Sequence, residues 1–143
     1  LSSAPAVAKE VTKILEAHGD LPAAKTDYKD GRTRVRFKEL PPEEKARLIA
    51  KNPAYGRVIC RCETITEGEI LDALHAEIPA TTIDGVKRRC GAGMGRCQGG
   101  FCSPRVLELI SKTLGISPLD VLQDKAGTNV LLCETKQEGN HHD

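Results

Sequence analysis

Cys60 and Cys62 stand one residue apart, and after 34 intervening residues Cys97 and Cys102 follow with four residues between them. Thiolates are soft ligands for iron and zinc, so two close pairs from distant segments point to a metal or redox centre. A [2Fe-2S] cluster fits the pattern well, because four cysteine thiolates hold it and each iron takes two. On spacing alone, Cys60 and Cys62 hold one iron, and Cys97 and Cys102 hold the other. Between Gly91 and Gly100 lie five glycines, which let backbone N–H groups come close to sulfur. Such hydrogen bonds stabilise added negative charge and raise a reduction potential. Structural zinc is the rival for the same thiolates, and it can replace a cluster. Zinc sites commonly draw on wider hairpins, however, and C-x-C makes a cramped chelate.

Charge points the same way. Two ferric ions, two sulfides and four thiolates leave a dianion, and Arg61, Lys87, Arg88, Arg89, Arg96 and Arg105 bracket the cysteines in sequence. Each alone is an ordinary solvated cation, but together they offset a dianion or dock an acidic partner. Two cysteines are left over. Cys90 is a spare thiol or an alternative ligand, and Cys133 lies in an apolar run where a buried, inert cysteine is usual.

Catalysis by these residues is not indicated. A nucleophilic cysteine needs a base, and His18, His75, His141 and His142 are lone or terminal. The run Gly91–Gly95 resembles a dinucleotide loop but lacks its third glycine at the proper offset. It also follows a basic helical stretch instead of a strand.

Helices must position these thiols. Residues 4–17 form an amphipathic helix with Pro5 in its first turn and Gly19 as its stop. This is a core or docking helix. Residues 20–31 make a surface connection, and Thr33–Leu40 alternates weakly as an edge strand or extended arm. Pro42–Lys51 is a short helix with Glu43 and Glu44 in its first turn, matching the helix dipole. Thr66 and Glu69 make a capping box for a helix to about Ala76, burying Ile70, Leu71 and Leu74. Thr82–Arg89 is a second short helix or turn. Ser103 and Pro104 start a third, carrying Val106, Leu107, Leu109 and Ile110 to Gly115, and Ser117–Asp120 adds one turn more. Asn129–Glu134 reads as a strand, and Gln137–Asp143 as a disordered tail. The expected fold class is mainly α, a small helical domain with extended N- and C-terminal arms and a short strand pair.

Composition narrows the function classes. Of 143 residues 39% are hydrophobic but only 3% aromatic, without tryptophan, so the core must be modest and aliphatic. A cross-linking metal would supply stability that burial alone does not. A net charge of +1 excludes a dedicated nucleic-acid binder, which needs excess cations against phosphate. The sequence has no apolar run of the length that spans a membrane. The chain is lysine- and glutamate-rich, and clustered cysteines in a reducing cytosol serve more often as ligands than as disulfides. A cytoplasmic location is therefore expected. Beginning at Leu1, the chain reads as a piece of a longer polypeptide.

Ile59–Ile70 (ICRCETITEGEI) and Arg88–Cys102 (RRCGAGMGRCQGGFC) together resemble the bacterioferritin-associated-ferredoxin-like [2Fe-2S] domain. They are most similar to the version at the C-terminus of FAD-dependent glycerol-3-phosphate dehydrogenases and related amine or hydroxy-acid oxidoreductases. The resemblance covers residues 55–115 and implies a small helical domain holding its cluster in the loops between helices. It marks Cys60, Cys62, Cys97 and Cys102 as the ligands. Cys90 stands where many relatives carry threonine, and is a bystander. Leu1–Ala8 resembles the helix closing the FAD-binding domain of such enzymes, and Arg36–Leu40 and Asn52–Val58 resemble the connector.

The implied organisation is a remnant flavoprotein helix at 1–19, a connector at 20–54, the cluster domain at 55–115, and a C-terminal turn, strand and tail at 116–143. The FAD and the substrate site would lie upstream, and this segment alone would be inactive. Its partners would be the FAD domain of the same polypeptide and an electron-acceptor protein. A zinc-stabilised interaction module and a free-standing docking ferredoxin are the competing readings.

Overall fold

A computed structural model describes residues 1–23, 25–27, 31 and 34–135. The chain divides into two compact units, Leu1–Thr33 and Arg34–Asp143.

The first unit is built on α1, Ala4–His18, with Pro5 in its opening turn. Gly19 ends it at φ +74°, a left-handed conformation that glycine adopts without steric cost. Val7, Val11 and Ile14 recur at helical spacing, yet none of the helix residues is buried.

The second unit holds the core. A 3₁₀ turn, Phe37–Glu39, leads into α2, Pro42–Lys51, whose first turn carries Glu43 and Glu44 and whose last carries Lys51. A further 3₁₀ turn, Pro53–Gly56, is capped by Asn52, whose side-chain oxygen accepts the Ala54 N–H at 3.1 Å. Strands β1, Val58–Cys60, and β2, Ile65–Thr66, pair antiparallel with a bulge between Val58 and Cys60. Three helices follow: α3 (Glu67–Leu74), α4 (Ile83–Cys90) and α5 (Ser103–Leu114). Ile70 from α3, Val86 from α4, and Val106 and Ile110 from α5 meet with almost no solvent access, and Val121 closes the cluster. Ile65 and Cys60 join it from the hairpin, so the first cysteine is anchored directly in the hydrophobic core.

Two of the three core helices begin on a side-chain cap. Thr66 and Glu69 form the expected capping box: the Thr66 hydroxyl accepts the Glu69 N–H at 3.3 Å, and the Glu69 carboxylate accepts the Thr66 N–H at 2.8 Å. Thr82 caps α4 by accepting the Gly85 N–H at 3.0 Å. For α5 the N-cap position falls on Cys102, with Ser103 as the first helical residue.

The fold is mainly α with one short strand pair, as expected, but several elements differ from the sequence reading. Within Thr33–Leu40, of which 34–40 are described, there is no edge strand. Phe37 is buried against Tyr55, ring centroids 6.3 Å apart, and its N–H goes to Glu69 Oε1 at 3.2 Å. One aromatic anchor and one buried acceptor thus override the weak alternation. Asn129–Glu134 is not a strand either. The only pairing there among the described residues is an isolated bridge, Leu122 to Asn129, backed by the Val130 N–H on Val121 O at 3.2 Å. With no partner strand, Leu132 stays 90% exposed, and Cys133 is exposed instead of buried. Residues 137–143 lie outside the described residues. Helix α3 stops at Leu74, two residues early, and Leu71 is only half-buried.

Candidate metal centre

The four cysteines of the two motifs line one open groove of about 1050 Å3, between β1 and the outer face of α5. Cys90 and Cys133 do not line it. Cys60 ends β1 with its side chain turned into the core. Cys62 lies past the end of the strand, in the turn before β2, and is exposed. Cys97 sits in the loop between α4 and α5, and Cys102 takes the N-cap position of α5 without a side-chain capping bond.

That loop is a chain of tight turns. Gln98 donates its backbone N–H to Gly95 O at 2.9 Å, Gly100 to Cys97 O at 3.0 Å, and Ser103 to Gly99 O at 2.9 Å. Two glycines are sterically required. A Cβ on Gly95 would stand 2.2 Å from Cys62 Cβ, so the absent side chain is what lets the two cysteine motifs touch. At Gly99, φ is +87° and a Cβ would meet Ser103 Oγ at 2.5 Å. Gln98 also takes left-handed backbone, φ +47°, and its side-chain amide braces the loop on Met94 O and Gly95 O at 3.2 and 3.0 Å. The sequence offered no signal for that brace.

The thiols come together across the motifs. Cys62 Sγ lies 3.6 Å from Cys97 Sγ, while Cys60 and Cys102 are both buried at the inner side of the groove. Electrostatics separates Cys97 from Cys102. Cys97 is held below the usual thiol range by its hydrogen bond with Cys62, and next by the Phe101 N–H, with Gly99 and Gly100 contributing. Cys102 is pushed up to about 11, first by burial and then by the neighbouring Cys60. A helix N-terminus favours a thiolate, so at Cys102 burial outweighs the dipole.

These residues suit a two-iron cluster by their donor chemistry: four thiols along one groove, beside a loop whose Phe101, Gly99 and Gly100 amides favour the Cys97 thiolate. Cys90 is a separate case. Its buried thiol contacts Val86 O at 3.3 Å, and burial raises its pKa to about 11, as for an inert structural thiol.

Of the six cations that bracket the cysteines in sequence, only Arg61 and Arg105 line the groove. Arg57 and Lys112 line it as well, which the sequence reading did not anticipate. Lys112 was in principle legible, since positions 105, 108, 109 and 112 share one face of a helix. Most of this charge is answered locally. Arg57 binds Glu67 at 2.5 Å, and Glu108 takes both Arg105 at 3.0 Å and Lys112 at 2.6 Å. Arg88 instead pairs with Asp124, away from the thiols. Phe101, 85% exposed, stands at the groove's rim.

The short hairpin, the three small helices and the four-thiol groove fall within or next to residues 58–112, and these residues match the BFD-like [2Fe-2S] binding domain family. Among individual relatives, a glycerol 3-phosphate dehydrogenase of Caloramator mitchellensis is 45% identical over 139 residues, covering 96% of this chain and 29% of that protein. The anaerobic glycerol-3-phosphate dehydrogenase subunit A1 of Haloferax volcanii is 36% identical over 73 residues, 48% of this chain and 12% of the subunit. Hydrogen cyanide synthase subunit HcnB of Pseudomonas aeruginosa is 49% identical over 53 residues, 34% of this chain and 11% of the subunit. The chain thus spans less than a third of the length of each of these relatives. No solved structure matches it significantly.

Proposed function

We propose that this chain is the [2Fe-2S] electron-transfer module of a larger FAD-dependent dehydrogenase, with Cys60, Cys62, Cys97 and Cys102 as the four ligands. The observation that carries the reading is the gathering of these four thiols, and no other cysteine, along one groove. When bound, the cluster supplies a one-electron carrier. The protein's own residues hold it: the hairpin fixes Cys60 in the core, the loop brings amide N–H groups to Cys97, and Gly95 leaves room for the motifs to meet.

The relative matching along nearly the whole chain is a glycerol 3-phosphate dehydrogenase, which supports a parent enzyme oxidising glycerol 3-phosphate. Electrons would pass from an upstream flavin through this module to an acceptor protein. The apolar face of α1 would pack on the FAD domain, residues 20–54 would form the connector, and residues 55–115 the cluster domain. A cytoplasmic location agrees with six free cysteines. Among the described residues no helix is long and apolar enough to cross a membrane.

Anaerobic reconstitution with iron and sulfide tests the first part. About two irons and two sulfides per chain, with visible charge-transfer absorption, are expected for this cluster type. One zinc per chain without sulfide would overturn it. For the parent, reduction of an artificial acceptor by the full-length protein with glycerol 3-phosphate is expected, and no reduction with that substrate would remove the assignment.

A further inference from the structure

We infer that residues outside the family-matched span form a positioning clamp on α4, the helix that leads into the loop of the second cysteine motif. Val121–Asp124 hold its first turn and Arg34 holds its last. The inference rests on the cluster reading above but concerns no ligand, since none of these residues lines the groove or falls within 58–112.

Helix α4 has eight residues, and isolated helices shorter than about 12–15 residues are marginal in water. The amides of a first turn also find no acceptor within their own helix. In α4 the Gly85 N–H goes to the Thr82 hydroxyl at 3.0 Å. The other two are answered from far along the chain: Ile83 donates to Leu122 O at 3.1 Å, and Asp84 to Gln123 O at 2.8 Å. Side chains fasten the same junction. Gln123 Nε2 donates to Asp84 Oδ1 at 2.8 Å, and Arg88, one turn further on, pairs with Asp124.

The segment that supplies these groups is itself braced. Val121 has no solvent access and belongs to the hydrophobic core. Beyond it the chain folds back: the Gln123 N–H donates to Thr128 O at 2.7 Å, and the Asp124 N–H to Thr128 Oγ1 at 3.0 Å. Asn129 Nδ2 ties the returning arm to Leu119 O at 2.9 Å. Two carbonyls are thereby presented to α4 at a fixed spacing.

At the opposite end, the Arg34 guanidinium donates to Arg89 O, where a cation suits the helix dipole. One residue later Cys90 is buried, and Gly91 turns left-handed at φ +87° to begin the loop. The loop's turns give it a shape, but the placement of α4 fixes where it starts. Its far end is fixed by α5, whose Val106 and Ile110 lie in the core. A loosened α4 would therefore free one end of the second motif.

Amide hydrogen exchange on the full, metal-free chain tests the clamp without reference to iron. Ile83 and Asp84 are expected to exchange as slowly as the interior of α4, and exchange at the rate of an open helix end overturns the inference. Gln123→Ala/Asp124→Ala changes two exposed side chains only. In this variant protection over residues 83–101 is expected to fall about three- to tenfold, while α3 and α5 keep theirs. A uniform fall across the three helices, or none, overturns it. After reconstitution, the double variant is expected to lose iron to a chelator several-fold faster than wild type. Lys125→Ala, on the same turn, is expected to match wild type. Equal rates from wild type and the double variant, or equal acceleration by Lys125→Ala, overturn the positioning role. Failure of the cluster reading is seen separately, as wild-type chain that takes up no iron and sulfide.

Discussion

The segment from Val58 to Thr66 and the loop from Gly91 to Cys102 each bring two thiols to the same groove, and they hold them by opposite means. The first uses regular structure: paired strands, a bulge, and a helix started by a capping box. The second contains no regular element before α5 and relies on turns and on side chains that are absent. In the hairpin segment, position is redundant, since hydrogen bonds, core packing and capping all specify it. In the loop, one added methyl group at the wrong place has nowhere to go. The hairpin should therefore lose stability gradually under substitution, whereas the loop should lose metal binding abruptly.

Gly95→Ala tests the loop most severely. With its Cβ 2.2 Å from Cys62 Cβ, the variant is expected to lose most of its iron and sulfide while the metal-free chain keeps its helical circular dichroism. Normal cluster content in Gly95→Ala would show that the loop yields as readily as the hairpin. Next comes Gly68→Ala, on the hairpin side. Its Cβ would meet the Tyr55 ring at 2.6 Å, and overpacking of this kind costs about 1–3 kcal/mol, read as a lower midpoint in urea.

Thr66→Ala removes half of the capping box and is expected to cost about 1 kcal/mol, measured the same way, with the cluster retained. A pH titration separates the regions further. Tyr55 is raised above its ordinary value of 10, first by burial and then by its hydrogen bond to Asp72. A group whose folded pKa is raised contributes stability that is complete below the unfolded pKa and is lost as pH rises above it. Thermal melts should therefore fall with increasing slope above pH 10, and Tyr55→Phe should flatten that limb. The smallest effect is expected at Arg57→Ala. Its pairing with Glu67 at 2.5 Å is largely solvent-facing on the arginine side, so the midpoint in urea should shift only slightly, and less still with added salt.

The same contrast explains what was legible beforehand. The capping box could be read because Thr66 and Glu69 carry their own mechanism at a fixed spacing, and Ile70, Val86 and Ile110 sit where helical periodicity puts them. The four candidate ligands could be read because cysteine spacing is itself chemical information. Their nearest neighbours could not. Which sulfur faces which depends on where β1 ends and on how tightly the loop turns, and neither leaves a periodic trace. Phe37 and Asn129–Glu134 failed for a related reason: short alternating runs become strands only where a partner exists, and here the partner positions were taken by a buried carboxylate or by nothing. The unexpected Arg57 and Lys112 reach the groove through tertiary packing, which distance along the chain does not report.

Glu69 sits 5% exposed with its carboxylate divided between two chain segments: Oε1 accepts the Phe37 N–H, while Oε2 accepts the Thr66 N–H at 2.8 Å and the Thr66 hydroxyl at 2.9 Å. In mechanical terms it is a tie-rod. Tension applied to the polypeptide where it enters at Phe37 is delivered through one side chain to the end of β2, four residues beyond Cys62. Whatever pulls on or relaxes that entering segment thus acts, through one side chain, on the hairpin that carries the first cysteine motif.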